Sequence, residues 1–103
     1  MKDRWERMGQ ILTILHNEDC TVAEMRDKLI LEGELLSFQA IDNLLRHYFK
    51  YSYLNREKDR TLERNPFRYR LSEFGMGQLA WIKSGESLKY ITRYNERYNI
   101  QVL

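Results

Sequence analysis

SFQAIDNLLRHYFKYSYLNREKDRTLERNPFRYRLSEFG, residues 37–75, decides the fold. The stretch reads as a helix with a polar outer stripe, then a strand, a basic loop, a second strand and the step Leu71-Ser72-Glu73-Phe74-Gly75. Ser37 stands where its hydroxyl can accept a hydrogen bond from an orphan amide of a first helical turn. Phe38, Ile41, Leu45 and Tyr48 recur at three- and four-residue spacing and Leu44 widens the stripe, which predicts a helix over 37–51 with one face packed inward. The opposite face carries Gln39, Asn43, Arg46, His47 and Lys50. Gln and Asn can bond an adenine edge at two points, Arg a guanine edge, and Lys a phosphate. An ordinary solvated helix face has the same composition, so the residues that follow must decide.

Residues 53–58 and 67–71 read as partner strands, joined by a loop over 59–66 that is too long for a tight turn. Pro66 has no amide to give a ladder and fits the loop exit. From Arg46 to Arg70 there are eight Lys or Arg (46, 50, 56, 58, 60, 64, 68 and 70) against three acids (Glu57, Asp59 and Glu63), a local net of +5. The rest of the chain holds nine bases and twelve acids, so the overall +2 hides a strongly polarised surface. A phosphate-facing surface needs that asymmetry, because each neutralised phosphate releases condensed counterions.

These residues resemble the small winged helix-turn-helix DNA-binding proteins of bacteria and archaea, of the kind found in the MarR and PadR regulator families. The family pattern starts a recognition helix at Ser or Thr and enters the first wing strand through a Gly-Leu-Ile step followed by a basic residue. It leaves the second strand through Tyr-x-Leu-Thr-x-x-Gly. The matching positions here are Ser37, Ile41, Leu44 and Tyr48, then Ser52-Tyr53-Leu54 and Arg56, and finally Tyr69-Arg70-Leu71-Ser72-Glu73-Phe74-Gly75. The resemblance spans residues 5–83. It implies an α+β, mostly helical fold: a winged helix-turn-helix with a three-helix core, a β-hairpin wing and a C-terminal helical extension. One departure is Ser52, which stands where the family has Gly at the left-handed end of the helix.

Upstream, Trp5, Met8, Ile11, Leu12 and Leu15 predict an amphipathic first helix ending near residues 16–19. Thr21 and Glu24 have capping-box spacing, and Val22, Met25 and Leu29 supply the inner face of a second helix that stops at Gly33. Downstream, Ser72 can cap a fourth helix that offers Phe74, Leu79, Trp81 and Ile82 as apolar surface, with Gly75 and Gly77 allowing close packing. Ser84-Gly85 is the clearest break, which divides the chain into a DNA-binding domain over 1–83 and an extension over 84–103. In the extension Leu88, Ile91, Tyr94 or Asn95, and Tyr98 repeat as a helix face, while 98–103 read equally as a short strand. The expected role is a homodimer interface, since two-fold operators need two copies; packing on its own subunit is the alternative.

Length fits one domain with a single core. No run of about 18 apolar residues is present to cross a bilayer and no basic-then-apolar leader marks export. A lone Cys20 supports no disulfide framework and fits a reducing cytoplasm. His16 and Cys20 are four apart, yet no second pair completes a metal shell, so no metal or cofactor is expected. Glu57, Asp59 and Glu63 sit among bases, where a solvated charged hairpin is a simpler account than a nuclease cluster, and no phosphate-cradling Gly loop or nucleophile motif marks an enzyme.

The expectation is a sequence-specific binder of double-stranded DNA, a homodimeric transcriptional regulator. Gln39, Asn43, Arg46 and His47 would enter the major groove, with Ser37 and Lys50 on phosphates. Arg60 and Arg64 would meet the backbone or minor groove, and Arg56, Lys58, Arg68 and Arg70 would add charge along the strands. The alternatives are a winged-helix protein-interaction module, its basic wing on an acidic partner, and a nonspecific architectural DNA binder.

Overall fold

Each helix in residues 2–85, the part of the chain that the structure, a computed structural model, describes, begins at a side chain that accepts a backbone amide. Asp3 opens α1 (Arg4–Asn17), Thr21 opens α2 (Val22–Leu31), Ser37 opens α3 (Phe38–Lys50) and Ser72 opens α4 (Glu73–Lys83). The capping box expected of Thr21 and Glu24 is complete: Thr21 Oγ1 accepts the Glu24 amide at 3.2 Å, and Glu24 Oε1 accepts the Thr21 amide at 3.2 Å. Losing such a cap costs about 1 kcal/mol.

Two of these helices end in the same way, with different residues at the critical position. After α2, Gly33 adopts φ 84°, and Glu34 N–H reaches Leu29 O while Gly33 N–H reaches Ile30 O. After α3, Ser52 adopts φ 66°, and Tyr53 N–H reaches Tyr48 O while Ser52 N–H reaches Phe49 O. Both ends satisfy orphan carbonyls through a left-handed residue. Ser52 therefore takes the conformation that the family pattern gives to Gly, at the steric cost of a Cβ.

The core gathers Met8, Ile11, Leu12 and Leu15 of α1, Met25 and Leu29 of α2, and Ile41, Leu45 and Tyr48 of α3, all buried. Each buried aliphatic of this kind contributes about 1.5–3 kcal/mol by leaving water. Leu79 joins the core from α4, which packs along α1, where Trp5 and Trp81 meet edge to face at 5.1 Å. Phe38 differs from the inward position its spacing predicts: it is 50% exposed and lies at the edge of the α3 stripe, beside the hairpin.

The hairpin is antiparallel, β1 (Leu54–Lys58) pairing with β2 (Phe67–Leu71) in the register Leu54 with Leu71 through Lys58 with Phe67. The first strand starts one residue later than the pattern predicts, because the Tyr53 amide is already committed to the end of α3. Along the other edge of β2, Cys20 and Tyr69 exchange both amide bonds, at 3.0 and 2.8 Å, so the link between α1 and α2 is a third, one-residue strand. Ser72 Oγ donates to Ser52 O at 2.6 Å and Ser72 N–H to Tyr53 O at 3.1 Å, tying α4 to the turn before β1. Gly75 sits against that turn, where a Cβ would lie 2.0 Å from Tyr53 O. Gly77, expected to serve close packing as well, has nothing within 4 Å of a Cβ.

A helix, a strand-like link, two more helices, a hairpin and a fourth helix in this order make a winged helix, α+β and mostly helical. The extension residues Leu88, Ile91, Tyr94 and Tyr98 lie outside the described residues.

Candidate nucleic-acid interface

The hairpin lies along α3, and that placement builds the site. Residues paired across the hairpin share a face, so Leu54, Arg56 and Lys58 join Leu71, Tyr69 and Phe67 on the inner side. There the Arg56 guanidinium carbon sits 4.0 Å from the ring centres of both Phe49 of α3 and Phe67 of β2, with a hydrogen bond to Tyr69 Oη at 3.4 Å. Such cation–π contacts contribute about 0.5–2 kcal/mol each. At the other end of α3, a half-open cleft of about 300 Å³ runs between Phe38 and Asp42 on one side and Leu62, Pro66 and Phe67 on the other. Phe38, Asp42 and Phe49 thus mark the flank of α3 that meets the hairpin.

The next flank around the helix carries Gln39, Asn43, Arg46 and Lys50 in one exposed row. Their side chains are already partly ordered. Gln39 Nε2 donates to Asn43 Oδ1 at 2.9 Å, and Arg46 Nε pairs with Asp42 Oδ2 at 3.1 Å. Asp42 was absent from the residues expected at the site, although its i, i+4 spacing to Arg46 was visible. The pair holds Arg46 through Nε and leaves its two terminal nitrogens outside that contact. Ser37 Oγ accepts the Ala40 amide at 3.1 Å and keeps its hydroxyl proton to donate. His47 stands apart from the row: its ring meets Tyr51 edge-on at 4.8 Å, over a cleft of about 490 Å³ shared with Arg4, Arg7 and Leu44.

Lys58, Arg60, Arg64 and Arg70 are exposed along the hairpin. The loop that carries Arg60 and Arg64 is a folded turn: Asp59 N–H bonds Pro66 O at 2.8 Å, Asn65 N–H bonds Leu62 O at 3.1 Å, and Asp59 Oδ1 accepts from both Thr61 N–H and Thr61 Oγ1. The Thr61 hydroxyl first, and Arg68 second, hold the Asp59 carboxyl down at about 2. Arg68 departs from the expected free charge on the strands. It lies on the outer face, half-buried, and bonds Glu24 of α2 and Asp59 together. Its hydrogen bond also lowers the Glu24 carboxyl below its ordinary value.

Cys20 is fully buried, and desolvation pushes its thiol up to about 11. Among the described residues no three His, Cys, Asp or Glu side chains are grouped to hold a metal, and no helix is long and apolar enough to cross a membrane.

No family model matches the sequence, and no curated protein is detectably similar to it. Solved structures do match the fold. The chain is similar to smu.1704 from Streptococcus mutans UA159, at TM-score 0.71 and 16% identity, with 98% of this chain and 94% of that one covered. It is similar to a cysteine-to-serine mutant of Lactococcus lactis ZitR at TM-score 0.60 and 19% identity, over 92% of this chain and 60% of that one. Against a glycine-to-lysine mutant of S. aureus MepR the values are 0.63 and 14%, over 93% and 65%. The chain thus spans less than two thirds of ZitR and MepR while matching nearly all of smu.1704.

Proposed function

We propose that the chain is a sequence-specific binder of duplex DNA, a transcription regulator in the broad manner of MarR-like proteins, acting by operator occupancy and without catalysis. The observation that carries this reading is the convergence of two surfaces: the exposed row of α3 and the basic hairpin occupy neighbouring flanks of one helix. The likeness in fold to the regulators ZitR and MepR supports it. Asn43, with its amide group oriented by Gln39, would bond an adenine edge, and Arg46, held by Asp42 through Nε, would offer its two terminal nitrogens to guanine O6 and N7. Lys50, the Ser37 hydroxyl and His47 at the margin would meet phosphates or the groove edge. Arg60 and Arg64 would meet the backbone beyond, with Lys58 and Arg70 adding charge. No cofactor is needed. Leu88, Ile91, Tyr94 and Tyr98 would join two copies in a homodimer working in the cytoplasm.

Fluorescence anisotropy with duplex DNA over a salt series tests this. Affinity should fall steeply with salt, and replacing Arg60 and Arg64 by Ala should flatten the log–log slope by about 0.9 for each phosphate no longer neutralised. Selection from a random pool should return a pseudo-palindrome if the protein is a dimeric regulator, and no enriched site if it coats DNA nonspecifically.

One feature favours the protein-interaction module as a second reading. Leu31 and Leu35, 87% and 84% exposed, flank the turn between α2 and α3 with Ile30 beside them. Absence of duplex binding at low salt would transfer the case to that module.

A further inference from the structure

Five hydrogen bonds leave the Arg68 guanidinium. Nε and Nη2 reach Asp59 Oδ2 at 2.9 and 2.7 Å, Nη1 and Nη2 reach the two Glu24 oxygens at 2.7 and 3.2 Å, and Nη1 also reaches Asp19 O at 3.3 Å. A guanidinium has five N–H donors, so none is left over for a phosphate. Both carboxylates it grips are themselves tied to backbone. Glu24 accepts the Thr21 amide at the start of α2, and Asp59 accepts the Thr61 amide at the root of the loop. One side chain on β2 therefore fixes the start of α2, the link before it and the point from which Arg60 and Arg64 depart.

From this saturation we infer that Arg68 is a positioning residue for the wing tip, and that it makes no contact with DNA itself. The inference rests on the DNA-binding reading above. A planar fork between two carboxylates does what a point charge on a flexible stem does not, so lysine at this position keeps the charge and loses the geometry.

A double-mutant cycle read by duplex affinity tests it. R68A should weaken binding about three- to tenfold in the wild-type background, and less than about 1.5-fold where Arg60 and Arg64 are already Ala, because no wing-tip arginines remain to be placed. R68K should behave like R68A. E24Q should also weaken binding, although it removes a negative charge from a DNA-binding protein, and it serves as the second variant should R68A unfold. Amide exchange at Thr61 should quicken in R68A and R68K while far-UV circular dichroism is unchanged.

Equal weakening by R68A in both backgrounds, or full affinity in R68K, would make Arg68 a direct phosphate contact and overturn the inference while leaving the DNA-binding reading standing. Wild-type protein that fails to bind duplex DNA would remove that reading and the inference together. Unchanged exchange at Thr61 would overturn the tether by itself.

Discussion

Replacing Gly75 by Ala probes the joint on which the wing and α4 depend. A Cβ there would lie 2.0 Å from Tyr53 O, 2.9 Å from Tyr53 C and 2.7 Å from Leu71 Cδ1. The leucine tip can swing aside; the carbonyl cannot move freely, because it accepts the Ser72 amide at 3.1 Å. Restoring ordinary contact requires α4 to withdraw by more than 1 Å, roughly, and overpacking against fixed atoms costs about 1–3 kcal/mol. Loss of the two Ser72 bonds to residues 52 and 53 adds about 1 kcal/mol each. Ala is the better helix former by about 1 kcal/mol, which leaves a net destabilisation of about 2–4 kcal/mol. For a domain of this size that lowers Tm by about 10–30 °C. Gly77→Ala supplies the contrast, since nothing lies within 4 Å of its Cβ; it should raise stability by about 0.5–1 kcal/mol through helix propensity alone. Thermal and urea unfolding followed by circular dichroism reads both. If G75A melts within two degrees, roughly, of wild type, or if both variants move the same way, the close approach at the joint is not what constrains it.

Other expectations follow from single positions. Ser52→Gly should stabilise by about 0.5–1 kcal/mol, since the left-handed cost of a Cβ exceeds the extra chain entropy of glycine; urea midpoints would show it. Asp59 and Glu24 both have depressed carboxyls, so the stability they lend is complete above the ordinary carboxylate range and is lost as pH falls through their folded values. The Thr61 amide resonance and the urea midpoint should therefore hold steady from neutral pH to about 5 and then decline between about pH 4 and 2. With its thiol buried and pushed up to about 11, Cys20 should react with a thiol reagent at least about a hundredfold more slowly in native protein than in urea. Rapid native labelling would mean that the link around residue 20 opens readily.

Local chemistry made much of the fold legible in the sequence. Ser37, Ser72 and the Thr21–Glu24 box announce helix starts within four residues of themselves, and the stripe of Ile41, Leu45 and Tyr48 has no competing period. The hairpin is framed by Pro66 and by a change from helical to alternating spacing. Arg68 was not legible, because its Glu24 partner is 44 residues away and only packing brings them together. A count of bases therefore overstated the charge that the hairpin presents. Phe38 misled for a related reason: spacing places it near the apolar stripe, but the hairpin, and not the core, lies beside it. Ser52 shows that a missing glycine need not mean a missing turn when the bonds on either side enforce it.

The paired amides of Cys20 and Tyr69 have a consequence for how such a protein can be shortened or rebuilt. The link between the first two helices is an edge that, among the described residues, pairs with the second strand of the hairpin. A variant with the hairpin deleted would be no smaller reading head; it would be a helical fragment with a raw strand edge, open to pairing with the same edge of another molecule. Self-association of that fragment, rather than a mere drop in affinity, is the expected cost of amputation.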